Sequence, residues 1–118
     1  MAATPESKVK KKIVDLLKRY DAYFFYPVTG GYGRSGVPDI VCCWRSRFIG
    51  IECKANGNQP TDLQMKNLVD IANQGGLAVI IDETGIGMLM LTMEAWNTHG
   101  IPIQGQVIDW TDCEEPPI

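Results

Sequence analysis

Residues 36–54 read GVPDIVCCWRSRFIGIECK, two apolar runs with the pattern of neighbouring strands, divided by Arg45-Ser46. Each run carries an acid, Asp39 and Glu52, and the second ends on Lys54. A charged side chain among Ile, Val, Cys and Phe is costly unless it is paired or holds a metal. Alternation along a strand sends Glu52 and Lys54 to one face and Ile51 and Cys53 to the other. A short antiparallel turn at Arg45-Ser46 then sets Asp39 opposite Glu52. Two facing carboxylates repel unless one takes up a proton or a cation intervenes. Two resolutions stand open: a divalent metal between the acids, or a buried ion cluster of Asp39, Glu52 and Lys54 that fixes the sheet.

Outward from this stretch, PDIVCCW (38–44) and RFIGIECK (47–54) read as strands, and the aromatic AYFFYPV (22–28) as the strand before them. The three form an antiparallel meander. Thr4-Pro5 has the form of an N-cap followed by proline at the first helical position, and Val9, Ile13, Leu16, Leu17 and Tyr20 recur at helical spacing, predicting a helix over 5–20. TGGYGRSG (29–36) is a loop. After Asn56-Gly57-Asn58, residues 61–74 predict a second helix stopped by Gly75-Gly76. LAVIID (77–82) is a buried strand, followed by a Gly-punctuated stretch around MLML (88–91) and a short helix over about 93–98. The Pro-rich, acidic end, IPIQGQVIDWTDCEEPPI (101–118), receives no element. The order αβββαβ predicts an α/β fold, a mixed central β-sheet flanked by helices.

A chain of 118 residues fits one domain, 1–118, with a core over about 5–98 and a C-terminal extension over 99–118. No apolar run reaches the ~18 residues of a membrane span, and MAATPESKVKKK lacks an apolar signal region, so a cytoplasmic protein with reduced thiols is expected. Cys42, Cys43, Cys53 and Cys113 form no CxxC and no Cys/His cluster, which favours free thiols over zinc. His99, in NTHG, is read as a surface or helix-end residue. The net charge of −3 conceals an asymmetry: residues 1–61 hold ten Lys/Arg against five Asp/Glu, and residues 62–118 one against nine. That polarity permits a basic face on an acidic protein, or simply a solvated Lys-rich helix beside an acidic tail.

Gly36-Val37-Pro38-Asp39, then Ile51-Glu52-Cys53-Lys54, then Gln64 in the next helix resemble the PD-(D/E)xK nuclease superfamily, and within it the stand-alone VRR-NUC (virus-type replication-repair nuclease) domains of phages. The resemblance runs from about Glu6 to Asp82 and includes the glycine-rich loop before Asp39, Gly50, and the KxxGxxxTxxQ run from Lys54 to Gln64. It implies a restriction-endonuclease-like fold forming a single nuclease domain. It also implies Mg²⁺- or Mn²⁺-dependent hydrolysis of a DNA phosphodiester, with water attacking in line to leave 5′-phosphate and 3′-hydroxyl ends. Asp39, Glu52 and the main-chain carbonyl of Cys53 would hold the metal, and Lys54 would orient the water and stabilise charge on the phosphate.

Two further site residues each have a second reading. Glu6 lies on the helix face shared by Val9 and Ile13, and either reaches the metal, as the family's first-helix Glu does, or only favours the helix dipole. Gln64 either approaches Lys54 and the attacking water, as the family's Gln does, or only closes the capping box TDLQ with Thr61. Lys8, Lys10, Lys11, Lys12, Lys18 and Arg19 are candidate phosphate contacts, as are Tyr32 and Arg34 in the glycine-rich loop. That loop lacks the GK[ST] of a P-loop, so no nucleotide cofactor is expected. The expected activity is that of a structure-selective endonuclease, in the first place a Holliday-junction resolvase acting on four-way DNA as a homodimer. The alternatives are a flap- or end-processing repair nuclease, a non-catalytic nucleic-acid-binding module and a structural protein with a buried ion cluster. Ile101, Ile103, Val107 and Trp110 either join such a dimer or pack on their own domain.

Overall fold

The computed structural model describes residues 3–28, 31 and 33–114. Its elements are α1 (Pro5–Arg19), β1 (Tyr23–Phe25), β2 (Ile40–Trp44), β3 (Arg47–Cys53), α2 (Asp62–Asn73), β4 (Leu77–Ile81), a 3₁₀ turn (Glu83–Gly85), α3 (Ile86–His99) and β5 (Gln106–Trp110). The αβββαβ order is present and continues into a further helix and strand. The result is a mixed α/β architecture compatible with a restriction-endonuclease-like fold.

The five strands lie in the order β1-β2-β3-β4-β5, antiparallel from β1 to β3 and parallel from β3 to β5. Arg45 and Ser46 adopt φ of 51° and 67°, the left-handed pair that a two-residue hairpin turn requires. The turn fixes the register from Trp44↔Arg47 to Ile40↔Ile51. The next step along that register is Asp39 and Glu52.

At the start of α1, the Thr4 hydroxyl accepts the Ser7 N–H at 3.1 Å, and Pro5 occupies the first turn, where its missing N–H costs nothing. Val9, Ile13, Leu16 and Leu17 form the buried stripe of α1 and, with Leu89 and Met93 of α3, cover one sheet face. That face presents Ile40, Cys42, Trp44, Ile49, Ile51, Cys53, Val79 and Ile81. On the opposite face α2 packs over β4 and β5, with Leu68 against Ala78 and Ile80. The β1–β2 end of this second face carries Tyr23, Phe25 and Phe48, 70%, 47% and 48% exposed, with Cys43 between Tyr23 and Phe48 in the register.

Three stretches differ from expectation. The first strand is Tyr23–Phe25, shorter than 22–28. Residues 86–99 form one helix instead of a short one over 93–98. Ile86, Leu89, Met93 and Trp96 all meet the main core at a helical spacing, and their burial outweighs the ~1 kcal/mol that a glycine such as Gly87 costs inside a helix. The unassigned tail supplies the edge strand β5, anchored by Trp110 in the core. The buried Asp82 carboxylate ties the ends of β4 and β5 together, accepting the Thr84 N–H at 2.9 Å, the Thr84 hydroxyl at 2.5 Å and the Asp112 N–H at 3.0 Å. Ile101 also packs on the core, whereas Ile103 and Val107 are exposed. Among the described residues no helix is long and apolar enough to cross a membrane.

Candidate metal centre

The β2–β3 ladder opens beyond Ile40↔Ile51, and three acids meet at the opening. Asp39, just before β2, accepts the Cys53 N–H on Oδ2 at 2.8 Å, so a side chain takes the place of a ladder carbonyl. Glu52, in β3, is 1% exposed. Glu6 arrives from the first turn of α1, the helix that packs on the opposite sheet face. One carboxylate oxygen from each of Glu6, Asp39 and Glu52 lies within 4.8 Å of the other two. Glu6, Asp39, Lys10 and Cys53 line an open hollow of about 200 Å³ there.

The charges in this cluster do not balance internally. Glu52 Oε1 stands 3.4 Å from Lys54 Nζ, yet Glu52 Oε2 is buried without a hydrogen-bond partner. Burial, and then the charge of Asp39, push the Glu52 carboxyl up to about 7 in spite of Lys54. A structural ion cluster is stable when its lone pairs are satisfied, and this one leaves an acceptor orphaned among carboxylates. Three convergent carboxylates with a free buried oxygen are a donor set that suits a hard divalent cation such as Mg²⁺ or Mn²⁺.

Lys54 is held from two sides. Its backbone N–H continues the sheet to the Ile81 carbonyl at 2.8 Å, and its ammonium donates to Gln64 Oε1 at 3.0 Å. The same Oε1 accepts the Thr61 N–H at 2.9 Å, while the Thr61 hydroxyl accepts the Gln64 N–H at 3.2 Å. Gln64 therefore closes the capping box and positions Lys54 with one oxygen. The contact to Lys54 and the capping box are thus present together.

Asn67 is a positioning residue that the sequence reading did not single out. It is 4% exposed, and its amide donates to the Ser35 carbonyl at 3.0 Å and the Leu63 carbonyl at 2.9 Å, clamping the end of the glycine-rich loop onto α2. Gly36 has φ +75°, and a Cβ there would lie 2.7 Å from Leu63 Cγ and 3.0 Å from the Asn67 amide nitrogen. Pro38 then rests on Gly50, where a Cβ would meet Pro38 Cγ at 2.9 Å and Ile71 Cδ1 at 2.8 Å. Together these contacts fix the chain that delivers Asp39. The signal in the sequence was a second amide, Asn67, one helical turn after Gln64 and next to the core residue Leu68.

The predicted DNA contacts divide. Lys10 joins the acid hollow, and its ammonium lies 4.4 Å from the centroid of the Tyr26 ring. Lys8 and Lys12 line a separate hollow with Asn56, of about 230 Å³. Lys11 pairs with Asp15 at 3.2 Å on the exposed side of α1. Arg34 is engaged with Asp70 of α2, which also binds Lys66 at 3.0 Å. Tyr32 lies outside the described residues. Cys53 sends its side chain into the main core, where burial raises its thiol pKa; burial does the same to Cys42, pushing that thiol up to about 12. His99 ends α3, exposed.

Two roomier hollows lie away from the acids, one of about 610 Å³ beside Met88 and Leu91 of α3 and one of about 320 Å³ between Phe48 and Ile71. Among the described residues the cluster of three converging acids, Glu6, Asp39 and Glu52, lines neither of them.

No protein-family model matches the chain. Among curated proteins it is similar to "Putative nuclease p44" of Acyrthosiphon pisum secondary endosymbiont phage 1, with 26% identity over 86 residues, a span of 72% of this chain and 90% of that protein.

Proposed function

We propose that the protein is a divalent-metal-dependent nuclease of the PD-(D/E)xK type and VRR-NUC kind, cleaving DNA endonucleolytically, with four-way junctions as its preferred substrate. The observation that carries this reading is the convergence of the Glu6, Asp39 and Glu52 carboxylates, with Glu52 Oε2 buried and without a hydrogen-bond partner. The phage relative bears the name of a nuclease, which supports the same class. Glu52, Asp39 and Glu6, with the Cys53 carbonyl, would hold Mg²⁺ or Mn²⁺, whose chemistry when bound is to polarise a phosphate oxygen and acidify water.

The chain's own residues do the rest. Asp39 and Glu52 place two carboxylates where a bound cation would let both stay ionised. Lys54, steadied by Gln64, offers its ammonium to the charge that grows on phosphate during in-line attack, and serves to orient the attacking water. Asn67, Gly36, Pro38 and Gly50 keep Asp39 from drifting. Lys8, Lys10 and Lys12 supply phosphate contacts that fix position without reading sequence. Resolving a junction takes two related nicks, which a two-fold homodimer supplies. The open apolar sheet face of Tyr23, Phe25 and Phe48 offers such a pair a surface. The enzyme would work in the cytoplasm of a bacterial or phage-infected cell.

Cleavage of matched four-way, flap and linear DNA in Mg²⁺, Mn²⁺ and chelator tests the reading. The expected result is paired nicks in the junction that disappear in EDTA. Undiminished cutting in chelator removes the mechanism. Preference for flaps or linear ends leaves the chemistry standing and removes the resolvase assignment.

A further inference from the structure

Tyr26, just after β1, has no part in the mechanism above. Its ring stands edge-on to Phe24, with centroids 6.1 Å apart, and Phe24 is itself packed against the main core. Pro27 follows and restricts the backbone at Tyr26. The ring thus rests on Phe24 at one side, yet it is 46% exposed. Over it lies the Lys10 ammonium, 4.4 Å from the centroid, and Lys10 also lines the hollow of Glu6, Asp39 and Cys53. One cation therefore borders both the acid cluster and an exposed aromatic surface. The other exposed aromatics of the sheet, Tyr23, Phe25 and Phe48, project from the opposite face, away from α1.

We propose that Lys10 and Tyr26 form a nucleotide subsite beside the proposed metal centre: Lys10 takes the phosphate next to the scissile one, and Tyr26 stacks on the base of that nucleotide where its own stacking is interrupted. The proposal rests on the nuclease reading and deepens it by naming the substrate class. An ammonium on an exposed ring is held weakly, whereas a charge-assisted phosphate contact and a base–aromatic stack are each stronger. Arriving DNA thus draws Lys10 off the ring and opens the ring to a base. A base inside a continuous duplex is already stacked on its neighbours and gains little from the exchange. A base at a branch, bulge or flap is free to make it. The subsite therefore selects DNA whose base stacking is interrupted next to the cleaved phosphate.

The test uses the full chain and a branched duplex carrying 2-aminopurine beside the branch, read by fluorescence in Ca²⁺ and by cleavage in Mg²⁺. Binding should quench the probe. Tyr26→Leu should abolish the quench and lower kcat/KM on branched DNA about tenfold, narrowing the ratio of branched to linear cutting, and Tyr26→Phe should restore both. Lys10→Gln should weaken binding and flatten its salt dependence. A Tyr26→Leu protein that is folded by its melting profile but keeps the wild-type quench and ratio overturns the subsite. Quenching without metal-dependent cleavage by the wild type upholds the subsite and sinks the hydrolysis. Cleavage without quenching does the reverse.

Discussion

Two carboxylates are buried at the C-terminal ends of the neighbouring parallel strands β3 and β4, and they are treated in opposite ways. Asp82 is 3% exposed and surrounded by donors: the N–H groups of Thr84 and Asp112 and the Thr84 hydroxyl. Burial works against its ionised form, but the hydrogen bonds outweigh it and hold the carboxyl below its ordinary range. Glu52 is 1% exposed, has one lysine at 3.4 Å, an acid as neighbour and an oxygen with no partner, and its pKa is raised. Both acids sit at strand ends with similar burial, so burial does not separate structure from chemistry. The completeness of the hydrogen bonding does. Asp82 is a finished joint between β4 and β5, whereas Glu52 keeps an unsatisfied oxygen beside other acids, the feature on which the proposed metal site rests.

The largest effects should come from breaking each acid in turn. Glu52→Gln removes the orphaned charge and is expected to lower the cleavage rate by a factor of about 10³ or more, since the reacting groups act as one unit. It should not lower the melting temperature, because a poorly compensated buried charge is lost. Lys54→Ala should match it in activity while still binding Mg²⁺. Asp82→Ala should do the opposite: metal-dependent cleavage within about threefold of wild type at low temperature, and a stability loss of about 2 kcal/mol or more as several donors lose their acceptor. Cleavage kinetics and thermal melts on the same samples decide. A Glu52→Gln protein that cuts normally, or an Asp82→Ala protein that melts normally, collapses the contrast.

Much of the Glu52 side of this comparison was readable in advance, and little of the Asp82 side. A two-residue turn at Arg45-Ser46 and the alternation of Ile51, Glu52, Cys53 and Lys54 fix the pairing by geometry alone, and the observed register follows it. Thr61 and Gln64 announce a helix start through local chemistry. Residues 106–110 give no such signal. Their strand is an edge whose partner, β4, lies 29 residues earlier by register, and only Trp110 is buried. Asp82 acquires its partners solely through that long-range pairing. Glycines at 85 and 87 obscured α3, whose stability comes from burying Leu89 and Met93 against α1 and the sheet. Asn67 was hidden for a related reason, since its acceptor at Ser35 is far away in the chain.

The two acids should also respond to pH with opposite signs. Glu52 has its folded pKa raised from 4.5 to about 7, so between those values the folded state binds more protons than the unfolded one. In metal-free buffer the contribution of Glu52 is therefore fully present below about 4.5 and is lost as pH rises toward 7, by about 2–3 kcal/mol. Glu52→Gln should flatten that slope. Added Mg²⁺ should reverse it, because binding favours the ionised carboxyl and releases a proton. Asp82, with its folded pKa lowered from 3.8, contributes stability that is present above that value and fades as pH falls below it. Denaturation midpoints below pH 4 read the sign for Asp82, and those between pH 4 and pH 8, with and without Mg²⁺, read the sign for Glu52. A midpoint in wild-type protein that climbs across this window without metal, and is unchanged by Glu52→Gln, contradicts the assignment of Glu52 as the strained acid.

The smallest effect, and the sharpest, concerns Glu6. It is the third acid of the cluster, and Asp82 has no counterpart to it. Its position in the first turn of α1 gives it a second explanation, since a carboxylate there favours the helix dipole whatever happens at the sheet. The two roles separate in size and in readout. If Glu6 helps hold the metal, Glu6→Gln should slow cleavage at least about tenfold, equivalent to about 1.4 kcal/mol of transition-state stabilisation, and raise the Mg²⁺ concentration needed for half-maximal rate. A dipole role alone predicts a loss of about 0.3–1 kcal/mol in folding stability and an unchanged metal requirement. The Thr4 cap and Pro5 remain in the variant, so α1 should still start where it does. A metal titration of the cleavage rate beside a melting curve distinguishes the cases. An unchanged titration with a slightly lower melt would reduce the site to Asp39 and Glu52, with the Cys53 carbonyl as the only other protein ligand proposed.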